Sequence, residues 1–120
     1  MVPTARVLVV DDEPRILRLV RASLSLAGFE VLTTTSGAEA ISLVQSESPD
    51  VVLLDVVMHP VDGLTVLKGL RAFSHIPVLL FTARRYTTEE ARDLGANGVI
   101  AKPFRAETMV RSIETALSNR

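Results

Sequence analysis

Five short runs rich in branched apolar residues alternate along this chain with stretches whose apolar residues recur at helical spacing, and this alternation constrains the fold more than any single motif. Arg6 to Val10 is almost wholly apolar, as expected of a strand covered on both faces. Pro14 suits a first helical position, and Ile16, Leu17, Val20, Leu24 and Ala27 then mark one helix face, which Gly28 ends. Glu30 to Thr34 is rich in β-formers. Ser36 is a cap for the next helix with Glu39 as its capping-box partner, and Ala40, Ile41 and Val44 form its inner stripe. Val51 to Asp55 is the most apolar strand. Leu64 to Phe73 reads as a short helix weakened by Gly69, Pro77 to Thr82 as a strand and Thr87 to Leu94 as a helix closed by Gly95. Val99 to Ala101 is a last short strand. Ala106, Met109, Val110, Ile113, Ala116 and Leu117 give the final helix its buried face. Strands and helices in strict alternation, joined by short connections, predict an α/β domain: a parallel sheet covered on both sides by right-handed crossovers.

Composition narrows the function. The 120 residues suffice for one domain with a continuous core, and no composition shift marks an internal boundary. A net charge of −1 offers no strongly basic surface, and neither a basic helix nor an aromatic platform for nucleic acid is visible. Cysteine is absent, so disulfide frameworks and thiolate metal sites are excluded. No apolar run approaches the length of about eighteen residues that spans a bilayer. Near the N-terminus, Asp11, Asp12 and Glu13 cut the apolar run short of a signal peptide. The expectation is a soluble cytoplasmic domain without membrane contact.

Chemistry gathers where the strands end. In a doubly wound sheet, ligands sit outside the carboxyl ends of the strands. Here the first strand leads to Asp11 and Asp12, the third ends in Asp55, the fourth in Thr82, and the fifth leads to Lys102. Each alone is an ordinary loop residue; gathered at one edge behind apolar strands they describe a site. Three crowded carboxylates require a cation, and an all-oxygen donor set favours a hard one, Mg²⁺ or Mn²⁺. Phosphoryl transfer asks mainly for positioning and for neutralisation of charge on the transferred oxygens. Asp55, beside a metal, a lysine and a threonine hydroxyl, is placed to be the nucleophile and to become an acyl phosphate.

VLVVDDEP (7 to 14), VVLLD (51 to 55), DG (62 to 63), PVLLFTAR (77 to 84), GANG (95 to 98) and KPF (102 to 104) together closely resemble the receiver domain of two-component response regulators. The likeness covers essentially the whole of residues 1–120, either free-standing or as the N-terminal part of a longer regulator. It implies a three-layer, flavodoxin-like (CheY-like) sandwich with sheet order 2-1-3-4-5. It also implies that a sensor histidine kinase or a phosphotransfer protein is the partner, with Asp55 as phospho-acceptor. Asp12 is implied as a direct Mg²⁺ ligand, Asp11 as a ligand largely through water, and the Val57 carbonyl as the remaining protein ligand. Lys102 would pair with Asp55 or a phosphate oxygen, Thr82 would donate its hydroxyl after transfer, and Lys102-Pro103 would be cis. A domain of this kind catalyses its own phosphorylation and slow dephosphorylation and is not a turnover enzyme on an external substrate. Its readout face, and the face of a homodimer, would be formed by the fourth helix, fifth strand and fifth helix.

Several positions depart from the family pattern. The proline usual four residues after the acceptor is displaced to Pro60, with His59, read as a solvent-facing loop residue, in its place. Val99 stands where an aromatic ring usually moves with the threonine, and Asn97-Gly98 stands where DNA-binding regulators often carry two acids. Their absence weakens the salt-bridged form of that dimer, leaving Arg92, Arg111 and Glu107 to pair differently. Val57 cannot orient a water and Arg84 stays protonated, so the acyl phosphate is expected to last minutes or longer. Three competing readings fare less well. A flavin carrier needs a phosphate-cradling loop where this chain has DDEP, and an aspartyl phosphatase carries its nucleophile after the first strand. A non-catalytic interaction module of the same fold, working without phosphorylation, should have lost an acid, the threonine or the lysine, and all are present.

Overall fold

A computed structural model describes residues 4–120. Its elements run β1 (Arg6–Val10), α1 (Pro14–Leu26), β2 (Glu30–Thr34), α2 (Gly37–Glu47), β3 (Val51–Leu54), α3 (Gly63–Arg71), β4 (Val78–Thr82), α4 (Thr88–Asp93), β5 (Gly98–Ala101) and α5 (Ala106–Ser118). All five strands are parallel, in the order β2-β1-β3-β4-β5, as expected.

Alternation along the central strands explains the three layers, because successive side chains point to opposite faces. Val7, Val9, Val51, Leu53, Leu79 and Phe81 face one way and pack against Leu17, Val20 and Leu24 of α1 and Met109, Ile113 and Ala116 of α5. Leu8, Val10, Val52, Leu54, Val78 and Leu80 face the other way, onto Ala40 and Val44 of α2, Val66, Leu67 and Leu70 of α3, and Ala91 of α4. Both faces are buried, which is why β3 shows no polar alternation. Ala27 and Ala106, expected on buried stripes, are exposed because each lies at a helix end, clear of the sheet.

Helix ends follow local chemistry. Ser36 caps α2 by accepting the Glu39 N–H at 3.1 Å. The reciprocal half of the expected box is not made, since Thr34 Oγ1 already accepts the Ser36 N–H at 3.0 Å. The complete box is at α4, where Thr87 and Glu90 exchange bonds of 2.8 and 3.0 Å. Gly28 and Gly95 take φ values of +95° and +97° after α1 and α4, a region where a side chain is strained. Gly69 has a packing role: a Cβ there would come within 3.0 Å of Ile41 Cδ1, so the glycine lets α3 lie close to α2. Among the described residues no helix is long and apolar enough to cross a membrane.

Candidate functional site

Sheet register builds the site. Val10 of β1 pairs with Leu54 of β3, and Leu54 pairs with Leu80 of β4. One residue further on, Asp11, Asp55 and Phe81 therefore lie side by side in one row at the carboxyl end of the sheet. The Asp55 N–H donates to the Val10 carbonyl at 2.9 Å, which fixes the backbone beneath the carboxylate. From β5, the Lys102 N–H donates to the Thr82 carbonyl at 3.0 Å, setting the root of the lysine beside β4.

Asp11, Asp55 and Thr82 are buried and Asp12 is half-buried. Asp11, Asp12 and Asp55 each present a carboxylate oxygen within 4.8 Å of the others. The Lys102 ammonium bridges two of them, donating to Asp11 Oδ2 at 2.5 Å and to Asp55 Oδ2 at 3.2 Å. The expectation for Lys102 named Asp55; its shorter bond is to Asp11. The remaining oxygens are held from the backbone. Asp11 Oδ1 accepts the Glu13 N–H at 2.9 Å, Asp12 Oδ2 the His59 N–H at 3.3 Å, and Asp55 Oδ1 the Val57 N–H at 3.2 Å. Thr82 Oγ1 accepts the Arg84 N–H at 3.1 Å, which leaves the hydroxyl proton free to be donated elsewhere.

Electrostatics show that the lysine alone does not neutralise the cluster. Burial, and then the neighbouring Asp11 charge, raise the Asp55 pKa above its ordinary value of 3.8, against the opposing pull of Lys102 and the Val57 N–H. Burial lowers the Lys102 pKa, but Asp11 and then Asp55 outweigh it and the net shift is upward, so the side chain stays an ammonium. A carboxylate held at a cost beside two others, in an all-oxygen set, matches the donor chemistry of a hard divalent cation.

The loop after β3 completes the frame. Asp62 caps α3 by accepting the Thr65 N–H at 2.9 Å, which lowers the Asp62 pKa. A Cβ at Gly63 would collide with the Asp55 carbonyl oxygen and come within 2.8 Å of the Asp55 carbonyl carbon and Val56 Cα. The DG pair thus holds α3 directly beneath the Asp55 backbone. That contact was missed from the sequence, although the motif itself was visible. Val57 is 47% exposed and His59 is exposed, as its reading as a loop residue required. Lys102-Pro103 is cis, as expected, and His59-Pro60 is cis as well. Two further features carried no recognised signal: the Phe81 ring beside Lys102, and Arg71, which donates to Gly95 O at 2.8 Å and to Asn97 Oδ1 at 3.1 Å.

Residues 7–114 match the family model of the response regulator receiver domain. The chain belongs to that family. It is similar to the transcriptional regulatory protein KdpE of Mycobacterium tuberculosis, with 37% identity over 92% of this chain and 50% of that protein. Response regulator MprA of Mycolicibacterium vanbaalenii is 38% identical over 93% of this chain and 50% of its own length. Chemotaxis protein CheY4 of Vibrio cholerae superposes with a TM-score of 0.89 at 32% identity, covering 96% of this chain and all of that one. This receiver domain spans about half the length of the curated relatives it matches.

Proposed function

We propose that Asp55 is the phosphoryl acceptor of this receiver domain, in a Mg²⁺- or Mn²⁺-dependent reaction with a sensor histidine kinase or phosphotransfer protein. The single observation that carries this reading is the Lys102 ammonium held between the Asp11 and Asp55 carboxylates with Asp12 alongside. A carboxylate oxygen of Asp55 attacks phosphorus, the bond from phosphorus to the donor's imidazole nitrogen breaks, and the departing imidazole leaves with that electron pair. Asp55 thereby becomes an acyl phosphate. Asp11, Asp12, Asp55 and the Val57 carbonyl are the residues that would hold the metal, which supplies positive charge against the transferred phosphoryl oxygens.

The protein's own groups do the rest. The backbone bonds to Val10 and Val57 fix the carboxylate for in-line attack. Lys102 supplies a second positive charge and exchanges a carboxylate oxygen for a phosphoryl oxygen once transfer is complete. Thr82 turns its free proton toward the phosphoryl group, and the following segment, Ala83 to Tyr86, is drawn with it. Half-buried Tyr86 packs on the core face shared by α2, α3 and α4, so this movement repacks the interior next to α4. With valine at position 99, the switch runs through loop movement and helix repacking. The α4-β5-α5 surface is its readout and the face of a homodimer, residues 1–120 are the receiver half of a longer cytoplasmic regulator, and DNA contact lies outside this domain. The curated relatives of twice this length support the reading of a longer regulator.

The test is treatment with acetyl phosphate with and without Mg²⁺, read by intact mass. One added phosphoryl group that appears only with the metal, and is absent from Asp55→Asn, is expected. Stable labelling of that variant would remove Asp55 from the role.

A further inference from the structure

We propose that Phe81 is a positioning residue for the reaction, its ring face forming the floor on which the Lys102 ammonium is held between Asp11 and Asp55. The inference rests on the assignment of Asp55 as acceptor and adds to it the group that sets where the lysine charge sits.

Register supplies the first argument. Leu80 of β4 pairs with Leu54 of β3, so Phe81 is the β4 neighbour of Asp55, while Phe81 itself pairs with Ile100 of β5. Lys102 lies two residues beyond Ile100 and so begins on the same side of the sheet. To reach Asp55 on β3 and Asp11 on β1, its side chain must cross the β4 position in this row. The residue at that crossing is Phe81.

Geometry supplies the second. The ammonium nitrogen lies 4.8 Å from the Phe81 ring centroid, within the range where a cation is attracted to the negative face of an aromatic ring. The ring cannot tilt away freely. Phe81 is fully buried, and Phe104, two residues after Lys102, packs edge-on against it with centroids 5.7 Å apart and planes 76° to each other. Lys102 and Phe104 thus bracket Phe81 from one short stretch of chain.

The chemistry explains why an aromatic floor suits this lysine. The ammonium has three N–H donors, of which one goes to Asp11 and one to Asp55. A hydrogen-bonding residue beneath it would take the third and hold the nitrogen in one orientation. A π face attracts the charge without fixing the direction of any N–H, so the ammonium can pass from carboxylate to phosphoryl oxygen at constant height above the ring. An aliphatic residue would fill the same volume with no attraction for the charge. Phe81 offers no group to the metal or to the phosphoryl oxygens in this scheme; it acts through Lys102.

The experiment replaces Phe81 by a series of progressively fluorinated phenylalanines, which keep the shape of the ring while weakening its negative face. Labelling by acetyl phosphate is timed at saturating Mg²⁺, and Phe81→Leu and Phe81→Tyr are run alongside. Labelling should slow steadily with fluorination, by roughly three- to thirty-fold at the end of the series and in Phe81→Leu, with Phe81→Tyr close to the parent. Melting temperatures that do not follow the rates separate this from loss of packing. Equal rates across the fluorinated series would overturn the proposal, even if Phe81→Leu fails to fold. A second readout needs no phosphoryl chemistry: the Lys102 ε-methylene protons should show an upfield ring-current shift that disappears in Phe81→Leu. Its absence in the parent protein would overturn the floor itself. Failure of the parent to be labelled at all, with that shift present, would instead count against Asp55 as acceptor.

Discussion

Replacing Asp55 by asparagine removes one negative charge from a buried cluster while keeping the size of the side chain and an oxygen for the Val57 N–H. In the metal-free protein the competing interactions can be weighed. Asp11 and Asp12 each have an oxygen within 4.8 Å of Asp55, and Lys102 is 3.2 Å away. With an effective dielectric of about 20, each carboxylate repels Asp55 by ~3.5 kcal/mol and the lysine attracts it by ~5 kcal/mol. Repulsion wins by ~2 kcal/mol before the cost of burying the charge is counted; screening of half-exposed Asp12 reduces the margin and burial restores it. The raised Asp55 pKa has the same sign. Asp55→Asn should therefore stabilise the metal-free domain by about 1–2 kcal/mol, or about 3–8 °C in melting temperature for a chain of this size. The pH dependence follows. A carboxyl with a raised folded pKa binds its proton more readily in the native state, so its penalty is present at neutral pH and fades as pH falls through that raised value. The gap between variant and parent should close toward pH 3.8, the ordinary value for the group. Saturating Mg²⁺ should also close or invert it, because metal at one hundred times its dissociation constant adds about 2.7 kcal/mol to the parent and less to a variant in which one proposed anionic ligand has become neutral. Thermal melts in chelator and in Mg²⁺ at two pH values test all of this. A variant that melts at or below the parent in chelator at neutral pH would refute the charge-crowding argument.

Gly63→Ala forces a methyl group into the Asp55 backbone, so it should cost more than about 3 kcal/mol and slow or abolish labelling; near-parental melting would mean that α3 can withdraw freely. Asn97→Ala removes the Oδ1 that accepts both the Val78 N–H at 2.9 Å and Arg71 Nη2 at 3.1 Å, and should cost about 1–3 kcal/mol in chemical denaturation without changing the labelling rate. The acyl phosphate should decay over minutes or longer, since Val57 and Arg84 offer no base to an attacking water; loss of label within seconds would contradict that reading.

The fold was legible because periodicity and punctuation agree at almost every element. Pro14, Gly28, Ser36 and Gly95 act where their chemistry predicts, and buried β3 reads as an unbroken apolar run. Where the readings missed, a neighbour outside the helix's own pattern decided the outcome. The Ser36 capping box is half made because Thr34 takes the N–H that Glu39 was expected to satisfy. Gly69 looks like a weakness in α3 until Ile41 is placed against it.

The candidate site divides along the same line. Its residue types were readable because a parallel sheet delivers every strand end to one edge, so Asp11, Asp55, Thr82 and Lys102 needed only the strand boundaries to be brought together. What periodicity cannot state is which neighbour each group meets within that edge, because lateral order belongs to the register between strands. Register puts Asp11, Asp55 and Phe81 in one row, and along that row Lys102 makes a shorter bond to Asp11 than to Asp55 and has an aromatic ring beneath its ammonium. A chain with the same strand ends and an aliphatic residue at position 81 would show the same polar motif from the sequence. It would hold its lysine by two carboxylates alone, and the charge would be less firmly placed for the proposed transfer to Asp55.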